Sequence, residues 1–163
     1  MKIRALDADD ANAWREIRLR MLSEHQEAFG EDPDDFAGRE NAELVQRIRD
    51  GNVIGAWIDG ALVGTVGWFC GRGRKRKHVA EIWGMYVAPE HRRTGAGRAL
   101  LIEALRASAA EGVEVWELGV EEQNTGARAL YEAEGFAEWG IEPDAYRFSD
   151  RSVNIIHMSR RNS

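Results

Sequence analysis

Residues 87–101 read VAPEHRRTGAGRALL, and the reading of that stretch decides what surrounds it. Val79 to Val87 is rich in β-branched and aromatic residues, as a strand is; past Pro89, Ala99, Leu100, Ile102, Leu105 and Ala109 recur at helical spacing until Gly112. The stretch is therefore a strand-to-helix turn. The first amides of a helix have no intrahelical partner and carry partial positive charge, so such a turn accepts an anion. Gly95 and Gly97 let the main chain come close, and Arg92, Arg93 and Arg98 add charge. A phosphate or pyrophosphate suits these features, although a glycine-rich helix start that only turns the chain has the same composition. Two phosphate loops are excluded by spacing. No lysine follows either glycine, as G-x-x-x-x-G-K-S/T requires, and Leu100 stands where the third glycine of G-x-G-x-x-G belongs.

Working outward, Lys2 to Ala5 reads as a strand and Asp7 to His25 as a one-sided helix bearing Trp14, Ile17, Leu19, Met21 and Leu22. A connection containing Pro33 leads to a second helix carrying Phe36, Leu44, Val45 and Ile48, ended by Gly51. Residues 52–70, NVIGAWIDGALVGTVGWFC, predict two strands about an Asp59-Gly60 hairpin turn. After the Gly95 helix come a strand, VEVWELGV, a helix, NTGARALYEAEG, with Asn124 as its cap, and two strands, FAEWG and SVNIIHMS. The order β-α-α-β-β-β-α-β-α-β-β predicts an α/β fold: hairpins make part of the sheet antiparallel, and the later alternation makes part parallel.

Length and composition set the outer limits. The 163 residues predict one domain spanning 1–163, and 44% hydrophobic with 31% charged residues is ordinary globular composition. Cys70, the sole cysteine, has no internal disulfide partner, which suits a reducing compartment. Arg4 and Asp7 break the first apolar stretch, and no run reaches the roughly 18 apolar residues of a membrane span. A cytoplasmic protein without membrane partners is the expectation. A net charge of −6 argues against nucleic-acid binding. The basic run Arg72 to His78 falls between two strands, where a solvated hairpin tip and a patch for an acidic partner are both compatible with it.

MYVAPEHRRTGAGRALL resembles motif A of the GCN5-related N-acetyltransferase superfamily, whose Gln/Arg-x-x-Gly-x-Gly/Ala pattern is met by Arg92, Gly95 and Gly97. VEEQNTGARALYEAEGF resembles motif B of that superfamily, through Asn124, Ala127, Leu130, Tyr131, Gly135 and Phe136. One departure is Arg93, where many members have glycine. The resemblance covers nearly the whole chain and implies a mixed, mostly antiparallel sheet of about seven strands flanked by about four helices. It also implies acetyl-CoA as acyl donor, direct transfer to a primary amine of a small molecule or of a protein N-terminus or lysine, and no metal. By the same resemblance the pyrophosphate lies on main-chain amides from Arg93 through Thr94, Gly95, Ala96, Gly97 and Arg98 to Ala99. The pantetheine arm and acetyl carbonyl then meet the backbone of Met85, Tyr86 and Val87.

Tyr131 follows Asn124 by seven residues, about two helical turns, so both can line one groove. The resemblance makes Tyr131 the general acid for the departing thiolate, with Asn124 a cofactor contact or simply a cap. Glu81 matches the base of several superfamily members, and period-2 alternation predicts Glu81, Trp83, Met85 and Val87 on one face. A carboxylate among such neighbours has its pKa raised by desolvation, unless it pairs with the basic hairpin. His25, His78, His91 and His157 show no metal-ligand spacing, and Cys70 has no local partner that marks a nucleophile. Trp57, Trp68, Trp83, Trp116 and Trp139 fall in strands, where core packing is the default, with Trp68 and Trp83 available to wall the acceptor groove. Glu24, Glu27, Glu31, Asp32, Asp34 and Asp35 make the region between the first two helices acidic, which suits a cationic acceptor. A non-catalytic acyl-CoA sensor and a transferase using another donor such as succinyl-CoA remain open. Dimerisation through the C-terminal strands is compatible with the implied fold.

Overall fold

The computed structural model describes residues 1–71 and 73–162. Arg72, first of the basic run, lies outside the described residues; beyond it the β3–β4 connection forms a 3-10 turn, Arg74–Arg76. The strands are β1 (Lys2–Ala5), β2 (Ile54–Ile58), β3 (Ala61–Cys70), β4 (Val79–Val87), β5 (Val115–Glu121), β6 (Ala137–Arg147) and β7 (Ser152–Arg161). They form a seven-stranded sheet in the order β1-β2-β3-β4-β5-β7-β6. Asp59 and Gly60 take φ values of +50° and +82°, the backbone of a two-residue turn whose twist matches its flanking strands, and they join β2 to β3 as the sequence predicts. Every neighbouring pair is antiparallel except β4 with β5.

The helices are α1 (Ala11–Glu24), α2 (Pro33–Ala37), α3 (Asn41–Asp50), α4 (Ala96–Ala110) and α5 (Thr125–Ala133). The single helix expected to carry Phe36 through Ile48 is two. The Asp32 side chain caps the start of α2 by accepting from the Asp34 and Asp35 amides, and the Gly38 N–H closes α2 on the Asp34 carbonyl. Phe36 is nonetheless fully buried, 5.9 Å from the Trp14 ring in an edge-to-face contact. No described helix is long and apolar enough to cross a membrane.

The sheet separates two cores. Leu100, Leu101, Ala104 and Leu105 of α4, with Tyr131 and Phe136 at α5, pack on one face. Trp14, Met21 and Leu22 of α1, Phe36 of α2, and Leu44 and Ile48 of α3 pack on the other. Buried Ser108 of α4 accepts a 2.8 Å bond from the Trp116 indole and donates to the Ala104 carbonyl, tying α4 to β5 with no polar group left over.

Strand β4 departs from simple alternation. Trp83 lies opposite Gly67 and Tyr86 opposite Thr65, so β4 uses one more residue than β3 over the same span. The extra residue sits at Gly84, whose φ is +61°, and whose carbonyl accepts from the Thr65 hydroxyl at 3.3 Å. The bulge reverses the phase of the strand. Ala80, Ile82, Met85 and Val87 pack toward α4, whereas Trp83, Tyr86 and Ala88 pack with the α1–α3 layer. The predicted shared face of Glu81, Trp83, Met85 and Val87 therefore does not form: the first two and the last two lie on opposite faces.

Trp14 is 1% exposed and Trp139 is 62% exposed. Trp14→Ala should cost about 3–5 kcal/mol in denaturant unfolding, and Trp139→Ala within about 0.5 kcal/mol of zero.

Candidate active site

Parallel pairing of β4 with β5 covers Val79 with Val115, Ala80 with Trp116, and Glu81 with Glu117. Beyond that rung β4 stays with β3, while Leu118 to Glu121 of β5 pair with β7. The inner edges of the two strands separate, and two adjoining cavities occupy the gap. The first, about 850 Å³, is lined by Met85, Tyr86, Val87, Arg92, Arg93, Gly97, Asn124 and Leu130, among others. The second, about 510 Å³, is lined by Glu81, Trp83, Tyr131, Trp139, Tyr146 and His157, among others. Phe29, Met85, Glu121, Asn124 and Ala127 line both, so the split is one passage through the sheet.

The loop before α4 opens on the first cavity. Gly95 precedes the helix with φ +87° and provides no side-chain cap. Among the described residues no acceptor takes the amides from Arg93 to Arg98, whereas the Ala99 N–H bonds the Gly95 carbonyl at 3.0 Å. The free amides therefore stop one residue short of the expected set. Arg93 has φ +60°, the left-handed conformation a glycine there would adopt freely, at a cost of about 1–2 kcal/mol for an L side chain. Arg92 donates through Nε to the Val87 carbonyl at 3.0 Å, and its Nη2 lies 2.9 Å from His25 Nε2. The Arg98 side chain is ion-paired with Glu134 at the end of α5, so its charge is already matched. Arg151, which the sequence did not single out, lines the same cavity from the β6–β7 turn. Asn124 caps α5 through the Ala127 N–H at 3.2 Å, and its side chain stands in the lining of both cavities.

Glu81 occupies the last paired rung, beside Glu117, where the strands part. Partial desolvation and the adjacent Glu117 charge hold its carboxyl above the usual range, while His157 and Arg76 pull the other way. Among the described residues no basic group of the hairpin pairs with it, and Arg76 bonds Glu117 at 2.7 Å instead. Tyr131 approaches from the α4–α5 face, 6% exposed and 5.8 Å from the Phe136 ring, and burial raises its phenol above the ordinary value. The split thus brings Glu81 and Tyr131, from opposite faces of the sheet, onto one cavity.

The acidic region between the first helices is not a free field. Glu24 accepts from Arg20 and from the Tyr86 hydroxyl, Asp32 is a helix cap, and Glu31 is held by Arg18 at 2.7 Å, Arg39 at 3.0 Å and Arg47 at 2.7 Å. Negative charge in the second cavity comes instead from Glu81, Glu117, Glu121 and Glu142 on the strands. Trp83 walls that cavity as expected, but Trp68 is buried in the core. Trp139, expected in the core, lines the cavity and lies 5.4 Å from the His157 ring, because β6 is an edge strand.

The family model described as Acetyltransferase (GNAT) family matches residues 12–136. A mycothiol acetyltransferase of Thermobispora bispora is 28% identical over 145 residues, covering 82% of this chain and 45% of that protein. Another from Beutenbergia cavernae is 32% identical over 145 residues, covering 81% and 45%. The chain thus spans about half the length of these curated relatives. Among solved structures, an acetyltransferase of the GNAT family from Streptococcus pneumoniae superposes with a TM-score of 0.88 at 21% identity, covering 99% of each chain. The structure of yncA, described as a putative acetyltransferase, from Salmonella typhimurium with its cofactor acetyl-CoA gives 0.82 at 24%, covering 99% of this chain and 93% of that one. At such identities the likeness is one of fold.

The ion cluster beside the second cavity carries a measurable signature. Burial alone would raise the Glu31 carboxyl, but bonds from Arg47 and Arg18 outweigh it and bring it from 4.5 down to about 2. A depressed carboxylate adds stability that is whole above the unfolded pKa and disappears as pH falls through the folded one. Chemical unfolding of the wild type against Glu31→Gln should show a difference of about 1–3 kcal/mol at neutral pH once solvent screening is allowed for, shrinking as pH falls below 4.5 and vanishing only below the folded value of about 2.

Proposed function

The chain belongs to the acetyltransferase (GNAT) family, and on that footing we propose that it moves an acetyl group from acetyl-CoA directly to a primary amine of a small molecule or a protein. The observation that carries this reading is the run of unpartnered amides, Arg93 to Arg98, opening on a passage that leads through the sheet to Glu81 and Tyr131. These amides, with Arg92, Arg93 and Arg151 on the same cavity, fit the pyrophosphate of coenzyme A. The unpaired edge of β4 at Met85, Tyr86 and Val87 offers main-chain groups to the pantetheine arm and the acetyl carbonyl. When bound, acetyl-CoA supplies an activated thioester.

The remaining tasks fall to the chain's own groups. An amine acceptor arrives as an ammonium, which the carboxylates of Glu81, Glu117, Glu121 and Glu142 attract. Glu81 takes the proton from that ammonium, directly or through a water, and its raised pKa brings it nearer the operating pH of a base. Tyr131 stays protonated well above neutrality, because burial disfavours its phenolate, and it holds a proton for the departing thiolate. Asn124 fixes the start of α5 and so the direction from which Tyr131 enters. Cytoplasmic residence and dimerisation belong to the same proposal.

Glu81→Gln should lower kcat/KM by about 10²-fold or more and flatten the acid limb of the pH profile, which in the wild type falls as pH drops through the raised Glu81 pKa. Tyr131→Phe should slow thiol release with little change in acetyl-CoA affinity; unchanged turnover across pH would remove it from the reaction. A bulky residue at Gly95, where φ is +87°, should abolish acetyl-CoA binding in isothermal titration while the circular dichroism spectrum stays native.

A further inference from the structure

Arg18 stands out in the second cavity because its side chain is buried and one of its donors, Nη1, is left free. It is 6% exposed and lies over the Trp83 ring at 5.0 Å and the Trp14 ring at 5.5 Å. Its Nε and Nη2 both donate to one oxygen of Glu31, at 3.2 Å and 2.7 Å. Among the described residues no acceptor takes Nη1, and the side chain lines the cavity. Glu31 is itself shared with Arg39 and Arg47, and Arg39 also reaches Glu43. Three guanidinium groups thus share two carboxylates, and the cluster carries one positive charge in excess. A charge this desolvated gains from an anion far more than an exposed one would.

Its position says where that anion would lie. A Cβ placed on Gly84 would come within 3.2 Å of Arg18 Nη1, so the free donor hangs over the bulge of β4, next to Met85 at the junction of the two cavities. Any side chain at position 84 would crowd that spot as well as strain the backbone at φ +61°.

We propose that Arg18 Nη1, over Gly84, forms a carboxylate-binding subsite beside the reacting centre, admitting acceptors whose amine stands close to a carboxylate, as in a free amino acid. The inference rests on the transferase reading above and narrows its acceptor. The division of charge fits a zwitterion: the strand carboxylates Glu81, Glu117, Glu121 and Glu142 receive the ammonium end, and Arg18 the carboxylate end. Phe29, Trp139 and Tyr146 leave apolar wall for the amino-acid side chain. A carboxylate also reaches this subsite if it is carried on the acyl chain of the donor, as in succinyl-CoA.

The test starts with isothermal titration of acetyl-CoA into the wild type. Thiol release is then followed for free amino acids against the corresponding amino-acid amides, and for succinyl-CoA against acetyl-CoA with an amine lacking a carboxylate. The expected result is a kcat/KM for at least one amino acid about 10- to 100-fold above that of its amide, the factor a charged hydrogen bond provides. In Arg18→Met, checked for native circular dichroism, that ratio should fall to near one while activity on the amide persists. A preference for succinyl-CoA that Arg18→Met abolishes upholds the subsite and assigns the carboxylate to the donor. Amides accepted as well as acids, with no donor preference, or release with no amino acid and neither donor, overturns the subsite while acetyl-CoA binding leaves the transferase reading standing. No acetyl-CoA binding overturns both. The wild-type comparison of acid with amide decides the matter even if Arg18→Met does not fold.

Discussion

Two strands joined by parallel rungs and then drawn to opposite neighbours must leave their inner edges apart. In this sheet β4 and β5 part at Glu81 and Glu117, β4 held by β3 and β5 by β7. The consequences are geometric before they are chemical. Main-chain groups that elsewhere close a ladder are free along the gap, the residue at the last rung stands at its apex, and side chains from both faces of the sheet reach one space. The bulge at Gly84 acts on the same place. By inserting one residue it turns Met85 and Val87 toward α4 and keeps Trp83 and Tyr86 toward α1, so one strand brings side chains from both faces of the sheet to the cavities.

Charge is distributed along the passage in a way the net value of −6 conceals. The open helix start and the Arg92, Arg93 and Arg151 side chains make one end receptive to anions. Carboxylates on β4, β5 and β6 line the other cavity, and buried Arg18 lines it beside the bulge of β4. Each sign sits where its desolvation alters what it can do: Glu81 is pushed toward the neutral form, and Tyr131 is kept in it.

Much of this could be read from the sequence because it depends on local rules. Asp59-Gly60, the strand-to-helix turn at Gly95 and the Asn124 cap are each decided by a few neighbouring residues, and each forms as the sequence predicts. What failed depends on partners distant in the chain. Period-2 alternation cannot see that β3 forces an extra residue into β4, although an isolated glycine inside a strand pattern, Gly84, was the available sign. Glu31 looked available because its counterions, Arg18, Arg39 and Arg47, come from α1, α3 and the loop before α3. Trp139 looked like core because β6 was read only as far as FAEWG, although Pro143 just beyond it was the available sign of an edge strand. The break of the second helix at Gly38 was legible, since Asp32-Pro33 and Gly38 are ordinary start and stop signals, but the helical spacing of Phe36 with Leu44 and Ile48 overrode them.

The opened seam also bears on how the protein avoids sticking to itself. Unpaired strand edges are templates for other strands, and the two outer edges here are guarded in familiar ways. Lys2 and Arg4 lie on β1, and β6 carries Pro143 with a register break between Glu142 and Tyr146. The inner edges of β4 and β5 need no such guards. They are flanked on the two faces of the sheet by the helical layers and face cavities lined by residues of both. Splitting a sheet from within therefore exposes backbone for recognition without adding a surface on which chains can stack.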